Sequence, residues 1–308
     1  MLNDNYKKLA EDLTSHFPQS TILTEEPMKK HTTFKIGGPA DIFVDPVSED
    51  IAGILKFLGE RNEKYIVIGN GSNLLVSDDG IEGVVVSIGK KSAQISVEDD
   101  YIIASAGTLL SQVANAAAEA SLTGLEFAAG IPGTIGGAVY MNAGAYGGEI
   151  KDVIESVQIL TSDYQIKEAQ VAELDLSYRH SALMENGGLV LSAKLHLAKG
   201  DKAVIRQIMD ENRQKRVDKQ PLNFPSAGST FKRPEGYFAG KLIDDAGLRG
   251  YAVGGAQVSE KHCGFVVNKG DATASDVLQL MKDVDAKVFD KFGVHLSPEV
   301  RIIGRNIN

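Results

Sequence analysis

The sequence predicts an α+β protein built from more than one structural unit. Several runs rich in Val, Ile and Leu are broken by Asp, Asn or Gly, which is typical of strands joined by turns. Two long amphipathic patterns after residue 200 predict helices. With 308 residues, the chain is longer than one small core usually requires. We therefore expect three units, at residues 1–98, 99–200 and 201–308.

The predicted strands come mainly from the first two units. Two runs change direction at Asp99-Asp100 and at Ser162-Asp163, so each of them predicts a hairpin. A final strand is expected near the end of the chain. The strand-like runs lie at 64–76, 83–88, 93–107, 153–171, 189–198 and 294–304.

Three helices are predicted from their caps and apolar faces. The first begins at Ser48, whose hydroxyl can cap it, and the second covers 201–219. The third follows Thr273, which can cap it together with Asp276, and it ends at Gly293. The apolar faces of the first and third helices are Ile51, Ile54, Leu55 and Leu58, and Val277, Leu280, Met281, Val284 and Val288.

Charge and cysteine content exclude several classes of function. The net charge of −9 disfavours nucleic acid as a partner. Cys263 is the only cysteine, so no internal disulfide can form, and the six scattered histidines offer no spacing for a structural metal site. No apolar run approaches the roughly 20 residues of a membrane span, and the first residues do not resemble a signal peptide. We expect a cytoplasmic protein.

Positive charge is concentrated in one stretch of this acidic chain. Such a stretch could bind an anionic ligand, and a solvated helix face is the alternative. The cations are Arg213, Lys215, Arg216, Lys219, Lys232, Arg233 and Lys241.

Two glycine-rich segments are candidates for binding phosphate. The segment "GLEFAAGIPGTIGGAVYMNAGAYGGE", residues 124–149, has no charged side chain between Glu126 and Glu149, and "GNGSN", residues 69–73, follows an apolar strand. Glycines let backbone N–H groups close around an anion such as a pyrophosphate. Tight turns and close packing explain glycines equally well, so both interpretations stay open on the residues alone. Neither "GNGSNL" nor "GYFAGKL" satisfies the Rossmann or P-loop pattern.

Seven motifs, in chain order, carry a resemblance to a known family. They are "HTTFKIGG", "IGNGSNLL", "GLEFAAGIPGTIGGAVYMNAGAYGGE", "LSYRHS", "AGSTFKRP", "GKLIDDAGLRG" and "PEVRIIG". The set spans about residues 31–304 and resembles the UDP-N-acetylenolpyruvoylglucosamine reductase family, flavoenzymes of peptidoglycan precursor synthesis. The resemblance implies an FAD-binding domain of the vanillyl-alcohol-oxidase type with two subdomains, followed by an α+β substrate domain. Because no insertion is found between Leu197 and Asp201, the chain resembles the shorter form of the family, which lacks a loop whose tyrosine closes over the substrate.

The resemblance assigns the FAD contacts to the two glycine segments. It also implies NADPH as co-substrate. We expect non-covalent FAD, because neither segment contains a His or Cys that could form a covalent link. The expected FAD-binding residues are Gly69, Asn70, Gly71, Ser72, Asn73, Gly130, Ile131, Pro132, Gly133, Thr134, Gly136, Gly137, Ala138 and Asn142.

The implied reaction passes a hydride from NADPH through FAD to the enolpyruvyl group of a UDP-sugar enolpyruvyl ether. Negative charge then develops toward the substrate carboxylate and needs a fixed partner, and the adjacent carbon needs a proton. Matched to the family's motifs, Arg179 and Glu299 would stabilise that charge, with Glu299 protonated or hydrogen-bonded. Ser229 would donate the proton.

Substrate contacts are implied at four positions that match regions lining the substrate pocket of the family. A cationic group suits a diphosphate or a carboxylate. Cys263 departs from the family, whose members tend to have a smaller residue at this position. We interpret the cysteine as a packing change without a role in catalysis. The expected substrate-binding residues are Tyr178, Lys219, Arg233 and His262.

Two other functions are compatible with these residues. An oxidase of the same fold would pass electrons from an alcohol to oxygen, and a UDP-sugar-binding module or transferase would have no redox role. Rapid reduction of the flavin by NADPH without an alcohol would exclude the oxidase. A bound yellow flavin would exclude the binding module.

Overall fold

The computed structural model describes residues 2–307. The three ranges expected from the sequence are called the first, second and third unit, and the first is a mixed sheet covered by helices. The sheet has the order β1-β2-β5-β3, with β1 antiparallel to β2 and the remaining pairs parallel. Its helices pack against the sheet through Leu13, Ile54 and Leu58, which are fully buried. The elements are α1 (Asp4–His16), β1 (Thr21–Pro27), β2 (Pro39–Asp45), α2 (Ile51–Glu60), β3 (Tyr65–Ile68), β4 (Leu74–Val76) and β5 (Ile81–Ser87).

The second unit is an antiparallel sheet of five strands with the order β12-β11-β13-β7-β6. Both predicted hairpins are confirmed: β6 turns into β7 at Asp99, where φ is +56°, and β11 turns into β12 through 161–165. The elements are β6 (Ile95–Glu98), β7 (Tyr101–Ser105), α3 (Leu110–Glu119), β8 (Leu122–Thr123), α4 (Ile135–Tyr140), β9 (Gly144–Ala145), β10 (Gly148–Glu149), β11 (Ile154–Leu160), β12 (Ile166–Gln170), α5 (Leu183–Asn186), β13 (Leu189–His196) and β14 (Ala198–Lys199).

The third unit contains two long helices and a small antiparallel sheet with the order β15-β18-β17-β16, and the second of these helices packs on the sheet. The last helix is confirmed with its caps: the Thr273 hydroxyl accepts from the Asp276 N–H at 3.0 Å, and Gly293 closes the helix at φ +68°. The elements are α6 (Lys202–Lys219), β15 (Ser226–Ser229), α7 (Ala239–Asp245), β16 (Ala252–Val253), β17 (Ala256–Val258), β18 (Phe265–Asn268), α8 (Ala274–Phe292) and β19 (Arg301–Ile303).

The hydrophobic cores do not follow the order of the chain. Ile205 and Met209 of α6 belong to the core of the first two units, so the helix that begins the third unit packs on the second. In return, Phe34, Ile36 and Leu75 of the first unit belong to the core of the third. The three units therefore share side chains across their boundaries. Within residues 2–307, no helix combines the length and the apolar character needed to cross a membrane.

One predicted cap is wrong, and several elements have no counterpart in the sequence analysis. Ser48 lies in a 3₁₀ turn, its hydroxyl donates to the Ser92 carbonyl at 3.1 Å, and the helix begins at Ile51. The apolar face predicted for this helix is confirmed, because its four members are buried. The elements that were not predicted are α1, β1, β2, α3, β8, α4, β9, β10, α5, β15, α7, β16, β17 and β18.

The end of the chain returns to the first unit. Strand β19 pairs in parallel with β4, so that Arg301 lies opposite Leu74. The Asp78 carboxylate, directly after β4, accepts from the backbone N–H groups of Ala274 and Ser275 at 2.7 and 3.0 Å. Asp78 thus caps α8 from another unit.

We expect Asp78→Ala to lower the free energy of unfolding by about 1–2 kcal/mol, because the N–H groups of Ala274 and Ser275 in the first turn of α8 would lose their acceptor. Urea unfolding followed by circular dichroism measures this. Asp79→Ala is the matched control, because within residues 2–307 the neighbouring carboxylate caps no helix and accepts only from the exposed Asn306 amide. The control should cost less than about 0.5 kcal/mol, and equal losses would contradict the capping role.

Candidate functional site

A cavity of about 1080 Å³ lies where the three units meet. Its walls are the loop 69–73 after β3, the glycine segment 131–138 that leads into α4, and the segment 220–229 that includes β15. The volume is at the upper end of the range for small-molecule sites. It can therefore hold a ligand as large as a dinucleotide.

Most of the predicted FAD-binding residues line this cavity. The Asn70 amide donates to the Pro132 carbonyl at 2.7 Å and ties the two glycine segments together. Gly130 and Asn142 are not part of the wall: the Gly130 carbonyl accepts from Arg216, and Asn142 is buried within the second unit. The predicted residues in the wall are Gly69, Asn70, Gly71, Ser72, Asn73, Ile131, Pro132, Gly133, Thr134, Gly136, Gly137 and Ala138.

Packing explains three of the cavity glycines. A Cβ on Gly69 would lie 2.4 Å from the Thr134 hydroxyl, and one on Gly136 would lie 2.9 Å from Ala106 Cβ. Gly71 has φ +60°, and a Cβ there would lie 2.1 Å from the His31 carbonyl. At these positions the protein itself requires glycine.

Packing does not explain Gly133 and Gly137. A Cβ on these residues would come no closer than 3.8 and 3.7 Å to another heavy atom of the protein. Both residues line the cavity, so the space that a side chain would take is open to a ligand. The sequence left open whether the glycines serve packing or a ligand. Packing explains Gly69, Gly71 and Gly136, whereas Gly133 and Gly137 leave space for a ligand.

An ion pair between two units forms another part of the wall. Arg179 Nε donates to Glu299 Oε1 at 2.6 Å, and the two side chains are 24% and 11% exposed. Ser229, at the end of β15, lines the same cavity. The carbonyl of the next residue, Thr230, accepts from the Glu299 N–H at 2.8 Å, so Ser229 and Glu299 lie on adjacent strands of backbone. The structure thus brings the three predicted catalytic residues together.

Asn73 connects the first unit to this ion pair. Its amide donates to the Glu299 carbonyl at 3.1 Å, and its own carbonyl accepts from the Arg301 N–H at 2.9 Å. Two hydrogen bonds therefore fix the backbone on both sides of Val300. Asn73 lines the cavity as predicted, while its amide group holds the segment that carries Glu299.

The four predicted substrate-binding residues lie outside the cavity wall. Tyr178 is 55% exposed, beside Arg179. Lys219 ends α6, next to Gln220, which does line the cavity. The guanidinium of Arg233 covers the Phe238 ring at 3.9 Å.

Burial shifts the pKa values of both His262 and Cys263. Burial, together with the cations Arg249 and Lys219, lowers the pKa of His262, and its Nδ1 accepts from the Gly264 N–H at 3.1 Å. Burial raises the pKa of Cys263 to about 11, so its thiol stays protonated at neutral pH. A protonated, buried thiol agrees with the packing role expected from the sequence.

The cavity wall also contains side chains that the sequence analysis did not assign to a site. In the sequence, Arg216 is one of seven cations of the basic stretch, and nothing distinguishes it from the others. In the structure it is half-buried in the wall, and burial lowers its pKa below the usual value. Tyr164 lies at the tip of the β11–β12 hairpin against Gly59, where a Cβ would meet its hydroxyl. Nothing in the sequence around Tyr164 or around Gly59 predicts that these two residues meet. The unassigned polar and aromatic residues of the wall include Lys35, Tyr65, Tyr140, Tyr164, Arg216, Gln220 and Arg301.

Among residues 2–307 there is no group of three or more His, Cys, Asp or Glu side chains that could hold a metal ion. The polar groups gathered at the cavity are amides, hydroxyls, backbone N–H groups, guanidinium groups, the ammonium of Lys35 and one carboxylate, that of Glu299, which is paired with Arg179. This set of donors suits an anionic organic ligand.

Two family models match the chain at the units that form this cavity. One, described as an FAD binding domain, matches residues 40–170. The other, described as the C-terminal domain of UDP-N-acetylenolpyruvoylglucosamine reductase, matches residues 220–303. Together with the glycine-lined cavity, they define the class of the protein as an FAD-dependent oxidoreductase.

Full-length relatives narrow the class to one family. The chain is 58% identical to a UDP-N-acetylenolpyruvoylglucosamine reductase of Agathobacter rectalis, with 95% of this chain and 97% of the relative covered. It is 53% identical to that of Clostridium novyi, with 98% and 97% covered. The crystal structure of the Thermus caldophilus enzyme superposes with a TM-score of 0.77 at 36% identity, covering 92% of this chain and 98% of that one. The chain belongs to the UDP-N-acetylenolpyruvoylglucosamine reductase family, and the expected α+β fold is confirmed.

We expect Gly133→Asp to weaken FAD binding by at least about tenfold, because a carboxylate would project into the cavity beside a diphosphate. The flavin absorbance of the purified variant, with titration of added FAD, measures this. Gly133→Asn is the matched control, since it adds nearly the same volume without the charge. Full flavin occupancy in a folded Gly133→Asp variant would contradict a phosphate site at this glycine.

Proposed function

We propose that the cavity binds FAD and that the chain reduces the enolpyruvyl group of UDP-N-acetylenolpyruvoylglucosamine to give UDP-N-acetylmuramate. When bound, FAD supplies the transfer of a hydride from NADPH to the substrate. The observation that carries the proposal is the grouping of Arg179, Glu299 and Ser229 in the wall of a glycine-lined cavity. The product would serve peptidoglycan precursor synthesis, and through it cell shape and division.

The residues of the cavity fit FAD in size and in chemistry. Gly133 and Gly137 leave room for a diphosphate close to the backbone. Asn70, Ser72 and Thr134 add side-chain groups that can donate hydrogen bonds. Backbone and neutral donors can hold the diphosphate without a cluster of lysines.

Arg179 would bind the substrate carboxylate and stabilise the negative charge that develops there. A guanidinium has five N–H donors, and the bond to Glu299 uses one of them, so others can point to a carboxylate. Glu299 would contribute as the hydrogen-bonded partner that fixes the guanidinium before the substrate arrives. A preorganised charge of this kind needs no rearrangement at the moment of reaction.

Ser229 would deliver the proton to the substrate carbon next to the carboxylate. A serine hydroxyl has a high intrinsic pKa, so it can act as an acid only toward a strongly basic, carbanion-like centre. The adjacent ion pair would favour that proton transfer by stabilising the charge left behind.

The diphosphate of the substrate would extend beyond the cavity toward the basic stretch. Lys219 and Arg233 offer cationic side chains for it, and Tyr178 offers an exposed ring beside Arg179. His262 is less suited to an anion, because its lowered pKa favours the neutral ring. A location in the cytoplasm is proposed from the single cysteine and from the nucleotide substrates.

We expect the flavin to be released by acid precipitation, because no His or Cys is among the cavity-lining residues that the structure describes. The yellow colour should stay in the supernatant, and its absorbance spectrum identifies the free flavin. Colour that remains in the washed pellet would mean that a covalent bond holds the flavin.

We expect Ser229→Ala to slow the oxidation of reduced flavin by the enolpyruvyl nucleotide by about 10²–10⁴-fold, since the proton donor is lost. Reduction of the flavin by NADPH needs no such proton and should stay near the parent rate. Stopped-flow absorbance separates the two half-reactions.

Ser226→Ala is the control for this experiment, because Ser226 lies on the same strand and lines the same cavity. It should change neither half-reaction by more than a few-fold. Equal slowing of both half-reactions in Ser229→Ala would indicate a structural role for the serine. An unimpaired second half-reaction would remove Ser229 from the mechanism.

A further inference from the structure

Arg179 is presented to the cavity by a strained turn. Ser177 and His180 exchange backbone N–H···O=C hydrogen bonds at 3.2 Å, so Tyr178 and Arg179 form the tip between them. Arg179 has φ +55°, a left-handed conformation that is uncommon for residues other than glycine. A turn in this conformation persists only when its surroundings hold it.

Two buried side chains hold the turn from both sides. The Asn142 amide donates to the Ser177 carbonyl at 3.1 Å, before the tip. After the tip, the Ser181 hydroxyl donates to the Tyr140 carbonyl at 2.7 Å. Asn142 is 1% exposed and Ser181 is fully buried, so water cannot replace these contacts. Both contacts attach the turn to the C-terminal end of α4.

The Asn142 amide is itself held rigidly. Its nitrogen also donates to Glu149 Oε2 at 2.6 Å, and its oxygen accepts from the Lys151 N–H at 3.0 Å. All polar atoms of the side chain are therefore used inside the protein, and Asn142 does not line the cavity. These contacts leave it no group for FAD and make it a fixed support.

We infer that Asn142 and Ser181 are positioning residues that hold Arg179 at the geometry required for reduction of the enolpyruvyl group. The inference rests on the role proposed for Arg179. Because α4 carries the cavity-lining glycines at one end and these two contacts at the other, one short helix sets both the flavin wall and the arginine. Loss of either donor lets the turn relax, and Arg179 moves relative to the substrate carboxylate.

A double-mutant cycle with Arg179→Ala tests the inference in the FAD-loaded protein. Asn142→Ala alone should slow the oxidation of reduced flavin by the enolpyruvyl nucleotide by about 10–100-fold, the effect of a displacement near 1 Å. In the Arg179→Ala background the same substitution should cost less than about twofold, because the arginine through which it acts is already gone. A merely structural role would give the same loss in both backgrounds, and that result overturns the inference.

Ser181→Ala supplies a second, independent cycle, which decides the question if Asn142→Ala does not fold. Its matched control is Ser156→Ala, another buried serine of the second unit, whose hydroxyl donates to Glu168 at 2.6 Å away from the cavity wall. A loss in Ser156→Ala as large as that in Ser181→Ala would also overturn the inference. The parent protein separates this test from the proposed function, since a parent whose reduced flavin is not oxidised by the enolpyruvyl nucleotide refutes the function itself.

Discussion

The parallel pairing of β19 with β4 is the constraint on which the rest of the site depends. This pairing brings the last strand of the third unit back to the first unit, where β4 directly follows the loop 69–73. Glu299 therefore lies beside Asn73, which bonds the backbone on both sides of Val300. Only from this position can the Glu299 carboxylate meet Arg179 of the second unit. One strand pairing thus brings the proposed reactive groups of the second and third units together beside the first unit, around a single cavity.

The Arg179–Glu299 pair is better explained by function than by stability. Taking two charges out of water costs several kcal/mol per ion, and their attraction often does no more than offset that cost. The left-handed backbone at Arg179 adds a further cost, of about 1–3 kcal/mol. Together these terms make the arrangement unfavourable unless the surrounding structure fixes it. Strain and partly buried charge in a cavity wall are what preorganisation for a charged transition state requires.

The sequence predicts features whose causes are local. The capping box, the apolar face and the closing glycine of α8 lie within one segment. The hairpin at Asp99 likewise depends on adjacent residues. The cap at Ser48 was wrong because the chain first makes a 3₁₀ turn at 48–50, where the Ser48 hydroxyl donates to a carbonyl 44 residues away, and the helix begins only at Ile51. The meeting of Arg179 with Glu299 spans 120 residues, so only the family resemblance placed them in one site. Elements as short as α4 carry too little periodicity to be predicted.

The glycines of the segment 124–149 have two different physical origins along its length. In its first half, Gly133 and Gly137 leave space that belongs to the cavity. In its second half the protein fills that space itself: a Cβ on Gly144 would lie 2.7 Å from the Gly148 carbonyl, and one on Gly148 would lie 2.6 Å from Phe127. Asn142 lies between the halves, and its amide connects the packed half, through Glu149 and Lys151, to the turn that carries Arg179. A backbone that must approach a ligand closely is thereby continued by glycines that pack tightly against the rest of the protein.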